Sequence, residues 1–166
     1  FKEEFMNNFK YFYKNKKELI NNYIKYWFMM LGLMMISNIF ISIFTTTEIS
    51  NNQTTILELL KQAPLYTFII SVVTAPILEE MVFRFSIRKI FTNDKLFIII
   101  SGLFFGFMHI ISSLDSLVNI LFIIPYSIPG FIFAYVYTKS KNIFVPISLH
   151  LIHNLVMMVL QIIILF

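Results

Sequence analysis

Glu79, Glu80 and Arg84 lie inside an apolar run long enough to cross a bilayer, and this placement constrains the chain more than any other feature. An ionised side chain at the bilayer centre costs roughly 2.5–3.5 kcal/mol even on lenient insertion scales. Such groups therefore face the interior of a helix bundle and pair with one another. Two further apolar runs carry the other costly groups: His109 in Phe-Gly-Phe-Met-His, and His150, His153 and Asn154 in His-Leu-Ile-His-Asn. The runs 26–44 and 117–137 hold no Asp, Glu, Lys, Arg or His. Segregating the polar groups onto three runs is what a buried polar site requires.

Composition points the same way. The chain is 58% hydrophobic with 20 Phe and only 13% charged residues, where soluble domains sit near a quarter charged. With a mean hydropathy of +0.78 over 166 residues, it reads as one compact membrane domain. The absence of cysteine excludes a disulfide, a thiolate nucleophile and a Cys-ligated metal. Residues 1–25 are too polar for a signal-peptide core, and the apolar run after them reads as an uncleaved anchor. The net charge of +4 does not indicate nucleic acid. Lys2, Lys10, Lys14, Lys16, Lys17 and Lys25 precede the first run with aromatics between them, a pattern suited to a bilayer surface carrying anionic lipid.

The fold class expected is all-α, a polytopic membrane helical bundle of about five transmembrane helices. The spans are drawn at 26–44, 66–90, 96–111, 117–137 and 143–166, joined by a polar loop at 45–63 and turns at 92–95, 112–116 and 138–141. The organisation is then a basic cytoplasmic segment (1–25), a first helix with its external loop (26–64) and a catalytic core (65–166). If the N-terminus is cytoplasmic, every Lys and Arg except Lys61 falls on that side, which predicts a multi-pass protein with its N-terminus inside, in the plasma membrane. Pro76 predicts a kink one turn before Glu79. Gly102 and Gly106 form a small-xxx-small face for close approach of a neighbouring helix, read as core packing.

On a helix Glu80 and Arg84 are i and i+4, so Arg84 can neutralise one carboxylate while Glu79 points about 100° away. Two adjacent buried carboxylates sharing one cation cannot both ionise cheaply, which suits one of them to act as a general base. His109 adds a group that titrates near neutrality. His150 and Asn154, again i and i+4, can both donate to a developing oxyanion. These are the parts for activating water against an amide bond. Taken singly, each has a bland alternative: a structural ion pair, a histidine bonded to a carbonyl, or interhelical glue. No His-Glu-x-x-His or Gly-x-Ser-x-Gly occurs, and the two aspartates, Asp94 and Asp115, lie in turns. Ser71, Ser86, Ser127 and Ser148 read as helix serines bonding back to the backbone.

Glu-Glu-x-x-x-Arg at 79–84, Phe-x-x-x-His at 105–109 and His-x-x-x-Asn at 150–154, in that order on separate spans, resemble the three motifs of the CPBP family. This is the family of type II CAAX prenyl endopeptidases and of bacteriocin-processing or immunity proteins (Abi-type). The resemblance implies an intramembrane endopeptidase acting on a membrane-associated protein or peptide, prenylated or not. It makes Glu79 the catalytic base, has His109 polarise the water, and gives His150 and Asn154 the oxyanion pocket, with Glu80 and Arg84 in support. A metal-free, glutamic mechanism is favoured. Members have also been called metalloproteases, so a divalent metal such as zinc on Glu79, His109, His150 and the extra His153 stays open. A non-catalytic immunity or scaffold protein keeping the motifs as a folding core is the main alternative. A proton-coupled carrier ranks last, because no repeated halves are visible.

Overall fold

The computed structural model describes residues 2–45, 50–111, 114 and 120–165. Six helices run through them, and no strand occurs among the described residues. They are α1 (Lys2–Phe44), α2 (Asn51–Gln62), α3 (Pro64–Ile90), α4 (Asp94–Ile110), α5 (Ile123–Ser140) and α6 (Phe144–Leu165). The helical membrane bundle expected from the sequence is what forms. Positions 46–49 of the expected loop, nearly all of the turn at 112–116, the first residues of the fourth run (117–119) and Phe166 lie outside the described residues.

By length and composition three helices can cross a membrane: Lys2–Ile43, Pro64–Ile90 and Phe144–Leu165. The other two runs form helices of 17 and 18 residues, α4 and α5. α5 packs against α1, α4 and α6, burying Pro125, Ser127, Pro129, Gly130, Phe133 and Ala134. A helix enclosed by protein does not need a lipid-facing surface, so it tolerates prolines and small residues that a lone span would not.

The basic N-terminal segment is helical and continuous with the first span. α1 has 43 residues, or about 65 Å at 1.5 Å per residue, more than twice the hydrocarbon thickness. Its opening turns are fixed to the corner between α5 and α6. The Asn8 carbonyl accepts from Asn142 Nδ2 at 2.9 Å and the Asn8 side chain accepts from the Ile143 amide at 3.1 Å. Phe5, Phe9 and Phe12 surround the Phe144 ring at 4.9, 5.4 and 5.9 Å between centroids.

The expected loop at 45–63 contains a helix instead. Ser50 caps α2, its hydroxyl accepting from the Gln53 amide at 3.2 Å, as a serine at an N-cap does. Ile56 and the fully buried Leu60, four residues apart on one face, pack with Val72 of α3 and Met158 of α6. The surrounding Asn, Gln and Thr residues hide this pair in the sequence. The turns at 92–95 and 138–141 are likewise shorter than drawn, since α4 begins at Asp94 behind the cap Asn93 and α5 runs on to Ser140.

Gly102 and Gly106 let α4 approach α5, within the chain, as read from the sequence. A Cβ on Gly130 of α5 would stand 2.7 Å from the Gly102 carbonyl oxygen, and one on Gly102 would strike the Phe131 ring. Backbone cannot yield as a side-chain tip can. Gly130→Val is therefore expected to cost about 1–3 kcal/mol or more through overpacking, read as a lowered unfolding temperature in detergent. An unchanged unfolding temperature would mean that α4 and α5 are less closely apposed than this.

Candidate active site

α3 carries the acidic part of the site, and its backbone is irregular in a way that explains the positions of its partners. Two π-helical turns, Ile70–Thr74 and Met81–Ser86, flank the α-helical turn Ala75–Glu80. In the first, the Ala75 amide donates to the Ile70 carbonyl, five residues back. The next amide in that register would serve Ser71, but residue 76 is proline and has none. Asn154 of α6 takes its place, its Nδ2 donating to the Ser71 carbonyl at 2.8 Å. Pro76 thus prepares an acceptor for Asn154. This pairing makes a prediction. Asn154→Ala should cost about 0.6–1.5 kcal/mol by orphaning the carbonyl, and much less in a Pro76→Ala background, where the new amide can supply the bond. Unfolding of the two single variants and the double would give the coupling, and equal costs in both backgrounds would refute it.

Behind the cavity-facing residues lies a buried ion cluster. Glu80 and Arg84 are both fully buried, with Glu80 Oε2 3.0 Å from Arg84 Nε. Glu80 Oε1 stands 2.9 Å from His150 Nδ1. A carboxylate accepts, so Nδ1 carries the imidazole proton and Nε2 is left facing Glu79 Oε2, 3.7 Å away. Arg84 also donates through Nη2 to the carbonyls of Pro129 and Gly130, at 3.4 and 3.5 Å. Its guanidinium lies over the rings of Phe105 and Phe133, 4.7 and 5.6 Å from their centroids. Cation–π contact with these desolvated rings supplements the sparse hydrogen bonding of the cation.

His109 approaches from α4. Its Nδ1 donates to the Phe105 carbonyl at 2.8 Å, which leaves Nε2 as an acceptor in the neutral ring. Tyr126 of α5 stacks on the imidazole, with centroids 4.8 Å apart and planes inclined by 21°. The Tyr126 hydroxyl is tied in turn to α2, 2.6 Å from Ser50 Oγ and 3.3 Å from Asn52 Nδ2.

Glu79, His109, His150, His153 and Asn154 all line one cavity of about 560 Å³, with Tyr126 and the start of α2 on its wall. Glu80 and Arg84 stand behind it. Glu79 keeps 26% of its side chain exposed, whereas Glu80 keeps none. His150 and Asn154 share a face of α6, as their spacing requires, but their donors are already engaged by Glu80 and by Ser71. Ser86 and Ser148 bond back to the helix backbone, at 3.0 Å to Met81 O and 2.7 Å to Phe144 O. The sequence reading missed Tyr126, the Ser71 carbonyl and the polar edge of α2.

The four candidate metal ligands do not fit a metal centre as they stand. Among the described residues no three His, Asp or Glu side chains converge on one point. Both nitrogens of His150 face carboxylates, and His109 directs Nδ1 at a carbonyl.

Fold and site together define a polytopic membrane protein whose buried carboxylate–imidazole–guanidinium cluster opens on an internal cavity. The chain belongs to the family described as type II CAAX prenyl endopeptidase Rce1-like, which matches residues 61–156 and so includes all three motifs. It is 32% identical to YdiL of Bacillus subtilis over 115 residues, covering 68% of this chain and 43% of that protein. It is 30% identical to the "Membrane-embedded CAAX protease MroQ" of Staphylococcus aureus over 131 residues, 75% of this chain and 51% of that one. The "UPF0177 protein YvdC" of Lactococcus lactis is 30% identical over 123 residues, 73% of this chain and 45% of that one. The chain spans about half the length of these curated relatives. No solved structure matches it.

Proposed function

We propose that this chain is an intramembrane endopeptidase of the glutamic type, hydrolysing a peptide bond of a membrane-associated protein or peptide. The observation that carries the reading is that Glu79, alone of the three ionisable groups at the start of the motif, lines the cavity shared with His109. A water between them would give its proton to the Glu79 carboxylate while His109 Nε2 holds it in line. Its oxygen then bonds to the carbonyl carbon. The oxyanion is met by the second Nδ2–H of Asn154 and by His150 once its donor turns from Glu80. Collapse breaks the C–N bond, and the proton on Glu79 passes to the leaving nitrogen. In the resting site Glu80, itself paired with Arg84, holds the His150 ring in position.

The distribution of basic residues supports a cytoplasmic N-terminus, with the plasma membrane as the location that suits it. Prenylated substrates are suggested by the family's description, and unprenylated peptides fit the reading equally. One observation favours a second reading, a non-catalytic immunity or scaffold protein: the His150 donor and one of the two Asn154 donors are engaged by the protein itself, as in a folding core. Incubating the purified wild type with a membrane-anchored peptide library, with and without a strong chelator, separates these. Chelator-resistant cleavage is expected. Chelator-sensitive cleavage would assign the chemistry to a metal, and no cleavage by a folded protein would favour the scaffold.

A further inference from the structure

His109 needs more than its backbone bond to hold one orientation. Its Nδ1 donates to the Phe105 carbonyl at 2.8 Å, four residues back on the same helix. A single hydrogen bond pins one ring atom, and the torsion that turns an imidazole plane is broad. Two aromatic rings set that plane. Phe105 lies 4.6 Å away between centroids with planes inclined by 34°, and Tyr126 lies 4.8 Å away at 21°. Phe105 is fixed by the core. It is buried, the Arg84 guanidinium stands 4.7 Å from its centroid, and the Phe83 ring meets it edge-on at 5.3 Å. Tyr126 is only half-buried and lines the cavity, so its ring needs another anchor.

The phenol hydroxyl supplies one. A phenylalanine would stack as well, so the hydroxyl is what distinguishes this residue. It stands 2.6 Å from Ser50 Oγ and accepts from Asn52 Nδ2 at 3.3 Å. Ser50 is itself held as the N-cap of α2, accepting from the Gln53 amide at 3.2 Å. α2 is held in turn by Ile56 and the fully buried Leu60, which pack with Val72 of α3 and Met158 of α6. These are the helices that carry Glu79 and His150. The contacts form a continuous brace from α3 and α6, through α2 and Tyr126, to the His109 ring on α4. Such a brace has a kinetic consequence, because misplacing a reacting group by about 1 Å can cost roughly 100-fold in rate.

We propose that Tyr126 is a positioning residue for His109, and that its bonds to Ser50 and Asn52 set the orientation in which the imidazole meets the cavity it shares with Glu79. This rests on the peptidase reading, in which His109 holds the attacking water. It gives a part in aligning the site to the start of α2, which lies outside the three motifs and outside the family match at 61–156.

Ser50→Ala and Tyr126→Phe each cut the brace and keep the stacked ring, while Ser50→Thr keeps both the hydroxyl and the cap. Tyr126→Phe leaves α2 capped, so an effect common to it and Ser50→Ala does not come from the cap. The full chain, carrying isotope-labelled histidine and followed by NMR in detergent, reports on His109 without any substrate. It has three histidines, and His109→Ala identifies the signal by its loss. The His109 ring resonance is expected to move in Ser50→Ala and in Tyr126→Phe and to stay in place in Ser50→Thr. On one peptide that the wild type cleaves from the membrane-anchored library, kcat should fall about tenfold or more in the first two, with KM changed less than about twofold. The double variant should be no slower than the poorer single, because both remove the same bond. A resonance that either variant leaves in place, or a moved resonance with kcat unchanged in a protein that cleaves, would overturn the brace. If the wild type cleaves nothing but the resonance moves as expected, the peptidase reading fails and Tyr126 still positions His109. If the wild type cleaves and the resonance stays in place, the reverse is true.

Discussion

On the peptidase reading, Glu79→Gln is expected to reduce cleavage by at least about 100-fold while the protein folds as the wild type does. The size of the effect follows from removing the base, because glutamine cannot accept a proton from water at neutral pH. The preserved fold follows from the surroundings of Glu79. It keeps 26% of its side chain exposed, and its neighbour His150 Nε2 is 3.7 Å away. Glutamine matches it in shape and still offers one oxygen and two N–H groups. Glu80 behaves differently, since both its oxygens face charged or donating groups at 3.0 and 2.9 Å. Two measurements on each variant, initial cleavage rate and unfolding temperature, separate the roles. Glu79→Gln should lose rate alone and Glu80→Gln should lose stability as well. A Glu79→Gln protein with undiminished cleavage would remove the glutamate from the chemistry, and the scaffold reading predicts that it keeps whatever function the wild type has.

How much of this was legible beforehand follows from what each residue contributes energetically. Glu79, Glu80, Arg84, His109, His150 and Asn154 stood out because an apolar run makes each of them expensive, and i, i+4 spacing gave the Glu80–Arg84 pair directly. The family resemblance rested on the same residues, and the match over 61–156 bears it out. Groups of low cost stayed hidden. Tyr126 is unremarkable in a membrane helix, and only the fold shows its ring on His109 and its hydroxyl at Ser50. α2 escaped because Asn52 and Gln53 face a cavity rather than water, so its polar residues imitate a loop. The partner of Asn154 is a backbone carbonyl, which leaves no mark on the sequence. Pro76 is the available signal for it, through the backbone bond that a mid-helix proline removes.

Arg84→Met is expected to destabilise the fold by about 3–5 kcal/mol, a large part of the roughly 5–15 kcal/mol that holds a domain together. The guanidinium balances Glu80 at 3.0 Å in a place no water reaches, so its removal strands a carboxylate at zero exposure. It also deprives the Pro129 and Gly130 carbonyls of a donor where α5 passes closest to α4. Lysine would not serve instead. Its ammonium is a point charge that cannot bond Glu80 and both carbonyls while lying flat over Phe105 and Phe133. If the stranded charge causes most of the loss, adding Glu80→Gln to Arg84→Met should recover a substantial share of it, because the double variant buries no unpaired ion. Expression level and thermal unfolding of the two single variants and the double variant give the answer. Recovery in the double variant would show that the pair is required chiefly as a pair, with Glu80 retained to fix the His150 tautomer behind Glu79. Loss that Glu80→Gln does not relieve would place the role of Arg84 in its bonds to α5, and Arg84→Met as stable as the wild type would sink the whole account of the cluster.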